Sequence, residues 1–211
     1  MKMPLEIARA LLAIHAVGFT PETPVTFKSG IRSPVYVDNR RLPFHPREWR
    51  RVIEGFVTLI KSKTIEFDVI AGIETAGIPH SAALAYALER PSVFVRKEAK
   101  AHGTRSRIEG GDVAGSRVLL IEDLVTTGGS SLSGIAALRE AGARVTDCLA
   151  IISYDLEEAR AGFEAAAVRL HTLTSFADVL AEAKLTLPEA AIAAVEDWLR
   201  DPHGWAERRS R

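Results

Sequence analysis

The residue types that could do chemistry in this chain are concentrated between Val118 and Ser131, which reads V-L-L-I-E-D-L-V-T-T-G-G-S-S. Glu122 and Asp123 follow four apolar residues directly, where a buried strand of a parallel sheet would end. Leu124 and Val125 lead into Thr126, Thr127, Gly128, Gly129 and Ser130, a small-residue turn, and Ile135 to Ala141 then reads as helix. Backbone N–H groups of a glycine-rich turn at a helix N-terminus suit a phosphate. Adjacent carboxylates at a strand end can accept hydrogen bonds from neighbouring ribose hydroxyls. Together they make a sugar-phosphate site. The turn lacks the lysine and the spacing of G-x-x-x-x-G-K, which disfavours nucleoside triphosphate hydrolysis. An acid pair can also do no more than cap a helix. Here, however, the apolar run, the acids and T-T-G-G-S coincide within fourteen residues.

A basic cluster, Arg96, Lys97, Lys100 and His102, follows the apolar run Val93–Val95. Basic side chains on a closing loop would neutralise a polyanionic ligand such as a polyphosphate and exclude water. Residues 98 to 115 carry no apolar periodicity and contain Gly103, Gly110, Gly111 and Gly115, so a functional loop is expected there. Its part from Lys100 to Gly111 is expected to be poorly ordered without substrate. Lys28 stands beside Ser29 and Gly30, with Tyr36 eight residues on. These could clamp a planar anionic base between backbone, ammonium and ring. Taken singly, the basic loop also reads as a solvated surface and the Lys28 segment as an ordinary hairpin. Beside a sugar-phosphate turn they read as parts of one site.

The elements that must hold these residues follow from the apolar pattern. Leu5, Ala8, Leu11, Leu12 and His15 recur at helical spacing, with Gly18 as the stop and His15 as a packed helix residue. Val25–Phe27 and Val35–Val37 flank Ser29 and Gly30 as two short strands, a flap or hood apart from the main sheet. Trp49 to Ile60 is an amphipathic helix. From residue 68 the chain alternates: strand 69–71, helix 78–88, strand 93–95, strand 118–121, helix 130–141, strand 145–152, helix 155–163 and edge strand 168–173. Two helices close the chain, and the polar tail from Asp201 is expected to fray. The fold class is α/β, a mainly parallel sheet flanked by helices. One domain over 1–211 is expected: a hood over about 1–45, a core over about 46–175 and C-terminal helices over 176–200.

Length and charge bound the function. A chain of 211 residues supports one sizeable α/β domain. Lys+Arg and Asp+Glu both number 27, which supplies no electrostatic reason for nucleic-acid or membrane binding. The single cysteine, Cys148, falls in the apolar run 145–152 as a core residue and cannot build a disulfide framework. No segment reaches the ~18 apolar residues of a membrane span. A cytoplasmic protein is expected.

Four segments resemble the orotate phosphoribosyltransferases, type I phosphoribosyltransferases that use phosphoribosyl pyrophosphate (PRPP). F-K-S-G-I-R-S-P-V-Y-V-D is similar to that family's orotate-side segment, R-K-E-A-K-A-H-G to its catalytic loop, and I-E-D-L-V-T-T-G-G-S to its PRPP motif. G-I-E-T-A-G-I-P is similar to its pyrophosphate-side loop. The basic loop discriminates most, because the purine enzymes share the PRPP motif but lack that loop sequence. The resemblance covers roughly residues 5 to 155. It implies the type I phosphoribosyltransferase fold with a small N-terminal hood. Lys100, His102 and Asp123 are implied as catalytic. Arg96, Lys97, Lys100, His102, Glu122 to Ser130, Glu74 and Thr75 are implied to bind PRPP, and Lys28, Tyr36 and Thr126 to bind orotate. It implies Mg²⁺ carried mainly on PRPP rather than by protein ligands. It further implies a homodimer in which Lys100 and His102 reach the partner's site, and a strained peptide, of the kind that includes cis bonds, at Glu74–Thr75.

Two positions depart from common members. Thr75–Ala76 stands where many have tyrosine–lysine, while others carry Thr-Ala. Asp155–Leu156 stands where members commonly have Asp-Arg, the arginine contacting the base. The carboxylate contact then falls to Lys28, with Arg160 a weaker candidate. A phosphoribosyltransferase for another anionic base, or a non-catalytic PRPP-sensing regulator, are the competing readings. The intact R-K-E-A-K-A-H-G argues against the regulator.

Overall fold

A computed structural model describes residues 3–27, 29–98 and 106–209. The chain opens with helix α1 (Met3–Ala13), one face of which, Ile7, Ala8 and Leu11, is buried. The helix stops at Ala13. His15 therefore lies beyond it, exposed and at φ 53°, and is not the packed helix residue that the spacing predicts. Gly18 is inside strand β1 (Val17–Phe19), not at a helix end.

The hood differs from the simple pair expected of 25–27 and 35–37. Strand β2 (Val25–Thr26) pairs antiparallel with β3 (Arg32–Ser33), whereas β4 (Val35–Val37) pairs antiparallel with β1. Pro34 divides the two pairings, because it has no N–H for a ladder and serves only through its carbonyl, which accepts from Thr20 N. Val35 and Val37 face inward and Tyr36 outward, the two-residue period of a strand with one covered face. A 3₁₀ helix over Asn39–Phe44 then leads to α2 (Pro46–Lys63), which has its proline in the first turn.

The main sheet begins at β5 (Val69–Ile73), buried along its whole length, followed by α3 (Gly77–Leu88) and β6 (Ser92–Val95). Lys100 and His102, with the rest of 99–105, lie outside the described residues, as does Lys28. The remainder of the expected loop is not structureless. Ile108–Glu109 forms β7 antiparallel to β6, because Ile108 supplies an apolar side chain at the sheet margin and Arg96 N bonds Arg107 O.

Strand β8 (Arg117–Val125) runs on past Ile121 and through both acids, pairing with β9 (Arg144–Ser153) as far as Val125 opposite Ser153. Helix α4 (Gly129–Glu140) lies between them in sequence, and α5 (Glu157–Ala165) leads to β10 (Arg169–Ser175) on the sheet edge. The sheet order is β10-β9-β8-β5-β6-β7, parallel except for β7. Successive strand residues enter opposite cores: Leu119 and Ile121 join the cluster under α1, α2, α3 and the C-terminal helices, while Val118 and Leu120 join the one under α4 and α5. Burial on both faces is why these strands read as continuous apolar runs. Cys148 belongs to the second cluster and is fully buried.

Helix α6 (Phe176–Ala183) starts with a capping box between Ser175 and Asp178. Helix α7 (Glu189–Arg200) returns to the hood, where Trp198 Nε1 donates to Arg32 O at 2.9 Å. The tail does not fray at Asp201. Helix α8 (Trp205–Arg209) follows, and Trp205 is 1% exposed against the main core, so one aromatic side chain anchors a segment that is otherwise polar.

Candidate active site

The site forms where β8 delivers its C-terminal end to the first turn of α4. Gly128 takes φ 84°, a left-handed conformation that a side chain would resist, and so turns the chain from strand into helix. A Cβ at Gly129 would meet nothing within 4 Å, so the space above that backbone is open for a ligand. Thr126, Thr127, Gly128, Gly129 and Ser130 line one wall of a cavity of about 570 Å³, with Leu124 and Glu122 behind them. The hood supplies the opposite wall through Val25, Thr26, Phe27, Ser29 and Tyr36. The 126–130 turn and the hood residues 25–36, about ninety residues apart in the chain, thus face one space.

Glu122 and Asp123 are held inside β8 rather than beyond it. Asp123 N donates to Glu122 Oε1 at 3.1 Å, and Ser131 Oγ donates to Glu122 Oε2 at 3.4 Å. Burial pushes the Glu122 carboxyl well above its ordinary range, and the neighbouring Asp123 adds to this. Burial also raises Asp123, against hydrogen bonds that favour its charge. Hydroxyl groups that donate to such carboxylates would replace the water they have lost.

Other site residues form a second group at the ends of β5 and β6. Glu74 Oε2 accepts from Lys97 N at 2.8 Å, which ties the loop after β5 to the chain leaving β6. The Glu74–Thr75 peptide bond is cis. Arg107 closes the far end of the basic loop, donating to Arg96 O at 2.8 Å and to Ser133 Oγ of α4 at 2.9 Å. Arg96 itself turns toward Glu109, with Nη1 at 3.5 Å from its carboxylate. Arg96, Lys97, Glu74, Thr75, Asp123 and Val125 do not line the cavity, and Val125 is buried beneath it.

Leu156 stands at the N-terminal cap of α5 and is buried in the main core, so it presents nothing to a ligand. Arg160 bonds Glu157 at 2.5 Å on an exposed face and is not drawn toward the cavity. Sequence reading missed Asn39 and Ser131. Asn39 is fully buried and its Nδ2 donates to Asp123 O at 2.9 Å, fastening the hood to the acid pair. Only its position directly after the alternating V-Y-V-D hinted at burial.

A profile of the phosphoribosyl transferase domain matches residues 44–167. Orotate phosphoribosyltransferase of Coxiella burnetii is 42% identical over 210 residues, covering 97% of this chain and 99% of that protein. This chain belongs to the orotate phosphoribosyltransferase family. Among solved structures, orotate phosphoribosyltransferase from Aeropyrum pernix superposes with a TM-score of 0.75 at 28% identity, covering 86% of this chain and 99% of that one. Leishmania donovani UMP synthase gives a TM-score of 0.81 at 29% identity over 92% of this chain, which spans 42% of that longer polypeptide. As an orotate phosphoribosyltransferase family member, the chain has the family's α/β fold, a mostly parallel sheet flanked by helices.

Proposed function

We propose that this chain transfers the phosphoribosyl group of PRPP to orotate, giving orotidine 5′-monophosphate and pyrophosphate in pyrimidine biosynthesis. The bond from orotate N1 to ribose C1′ forms as the bond from C1′ to the pyrophosphate oxygen breaks, and pyrophosphate leaves with the electron pair. The observation that carries the reading is one cavity walled on one side by Thr126–Ser130 and on the other by Tyr36 and Phe27. Its size suits a sugar phosphate with a base beside it.

In this reading Thr126 to Ser130 take the 5′-phosphate on backbone N–H groups at the start of α4. Leu124 and Val125 shape the floor. Glu122 and Asp123 accept from the ribose hydroxyls. Lys28 and Tyr36 attend the base, with Thr126 between base and sugar. Arg96, Lys97, Glu74 and Thr75 face the pyrophosphate, and Lys100 and His102 complete its charge. An oxocarbenium-like transition state needs charge stabilisation more than a strong base, so Lys100, His102 and Asp123 are the catalytic set.

Mg²⁺ would be held mainly by oxygens of PRPP itself, as a hard cation that keeps substrate oxygens in its shell, and the Glu122 carboxyl on the cavity is an oxygen donor of the kind it accepts. When bound with PRPP it would supply charge neutralisation at the leaving pyrophosphate. The working unit is a homodimer, with Lys100 and His102 serving the partner's cavity, and its place is the cytoplasm. Among the described residues no helix is long and apolar enough to cross a membrane.

Purified protein with PRPP, Mg²⁺ and orotate should consume orotate absorbance, and omission of PRPP should stop it. Turnover of another base in preference to orotate, in a competition within one assay, would move the substrate assignment. PRPP binding without turnover of any base would favour a regulator.

A further inference from the structure

The cavity wall that faces the base contains a cation one residue behind it. Arg40, on the 3₁₀ helix, donates Nη2–H to Tyr36 Oη at 2.8 Å and Nε–H to Asp38 Oδ1 at 2.6 Å. The preceding residue, Asn39, anchors the same turn to the Asp123 carbonyl. Tyr36 lines the cavity, whereas Arg40 does not. A phenol oxygen that accepts from a guanidinium still has its own hydrogen to donate, and the acceptance polarises that O–H into a better donor. Among the described residues nothing accepts the Tyr36 hydrogen. Leu156 is buried in the core and Arg160 is engaged by Glu157, so neither brings positive charge to a carboxylate on the base.

We infer that Arg40 is a specificity-determining positioning residue, which orients and polarises the Tyr36 hydroxyl as a donor to the carboxylate of the base. The inference rests on the orotate reading above and adds to it the means by which an anionic base is preferred. Arg40 is exposed, so its charge alone, screened by water, would do little for a ligand at a distance. The fixed hydrogen bond to Tyr36 transmits it.

The test is steady-state kinetics with orotate and PRPP both varied, together with uracil, the same ring without its carboxylate, as a competing ligand. Arg40→Ala should raise the KM for orotate about five- to tenfold, the worth of one strengthened hydrogen bond. The KM for PRPP, kcat and the inhibition constant of uracil should stay within about twofold of the wild-type values. Tyr36→Phe should do the same, and the double variant should be no worse than either single one. Arg40→Lys, which can still donate to the phenol, should recover part of the loss. An unchanged orotate KM in Arg40→Ala, additive losses in the double variant, or an equal rise in the KM for PRPP overturns the inference while leaving the activity assigned. A wild-type protein idle on orotate overturns the substrate reading itself and this inference with it. A variant that has simply lost structure would show a lowered thermal midpoint and weaker uracil binding, which also counts against a positioning role.

Discussion

At the scale of single residues, two positions show how local physics decides outcome. The space at Gly129 is open, since no protein atom lies within 4 Å of a Cβ placed there, and the proposed function puts the 5′-phosphate in it. Gly129→Val should therefore fold and yet bind PRPP more weakly by about tenfold or more, a loss of ~1.4 kcal/mol or above. Calorimetric titration reads this directly, and unchanged affinity would place the phosphate elsewhere. His80 illustrates burial. Trp49 Nε1 donates to His80 Nδ1 at 3.0 Å, which leaves the ring hydrogen on Nε2. Burial lowers its pKa from 6.5 to about 4. Because the folded value lies below the unfolded one, the unfolded chain takes up the proton first. Stability that is complete above about pH 6.5 is then lost as pH falls toward 4, by up to about 3 kcal/mol. His80→Asn retains an acceptor for Trp49 without a titrating ring, so its urea-unfolding free energy should fall less steeply between pH 7 and 4. An identical acid limb in both proteins would remove His80 as the cause.

At the scale of elements, the segments that carry the site are tied together by a few polar bonds rather than by one continuous core. Asn39 fastens the hood to β8, Glu74 fastens the β5 loop to the β6 loop, and Arg107 fastens the end of the basic loop to α4. The hood's back is closed by an aromatic group in which Phe27 packs on Tyr154 at 5.5 Å and on Trp198 at 6.1 Å. Trp205 completes that side from α8. Its truncation should be costly despite its place in a polar tail. Trp205→Ala is expected to destabilise the protein by about 3 kcal/mol or more, the usual cost of removing a buried aromatic ring. Thermal or denaturant unfolding measures it, and a change below about 1 kcal/mol would mean that α8 is undocked in solution.

At the scale of the whole molecule, the proposed homodimer makes a prediction that no single chain can. If Lys100 serves the partner's cavity, Lys100→Ala and Asp123→Ala damage different sites when they stand on different chains. Co-expressed, they should form some dimers with one intact loop facing one intact acid pair. With random pairing half of the dimers are mixed, so roughly a quarter of wild-type activity is expected, against near-zero activity for each variant alone. Absence of recovery in dimers confirmed as mixed would assign the loop to its own subunit. The mainly parallel sheet beneath the cavity is sealed on its two faces by separate apolar clusters, which makes it a rigid base for the hood and the 126–130 turn.

What the amino-acid sequence determined by itself was whatever depends on neighbours in the chain. The β8–α4 unit was legible in I-E-D-L-V-T-T-G-G-S because strand, turn and helix start are consecutive, and because only glycine takes the φ of 84° that the turn requires at Gly128. The alternation of strands and helices from residue 69 was legible for the same reason, through apolar runs buried on both faces. Tertiary structure alone decided matters that turn on distant partners. Pro34 sent β4 to β1 instead of to β2, pairing with the sheet margin gave Ile108–Glu109 a strand, and one buried ring held α8 in place. The acids at 122–123 proved to be interior to β8, because β9 continues alongside them to Ser153. Asn39 gained its partner only when the hood folded onto β8, since a hydrogen bond across 84 residues leaves no trace in local spacing.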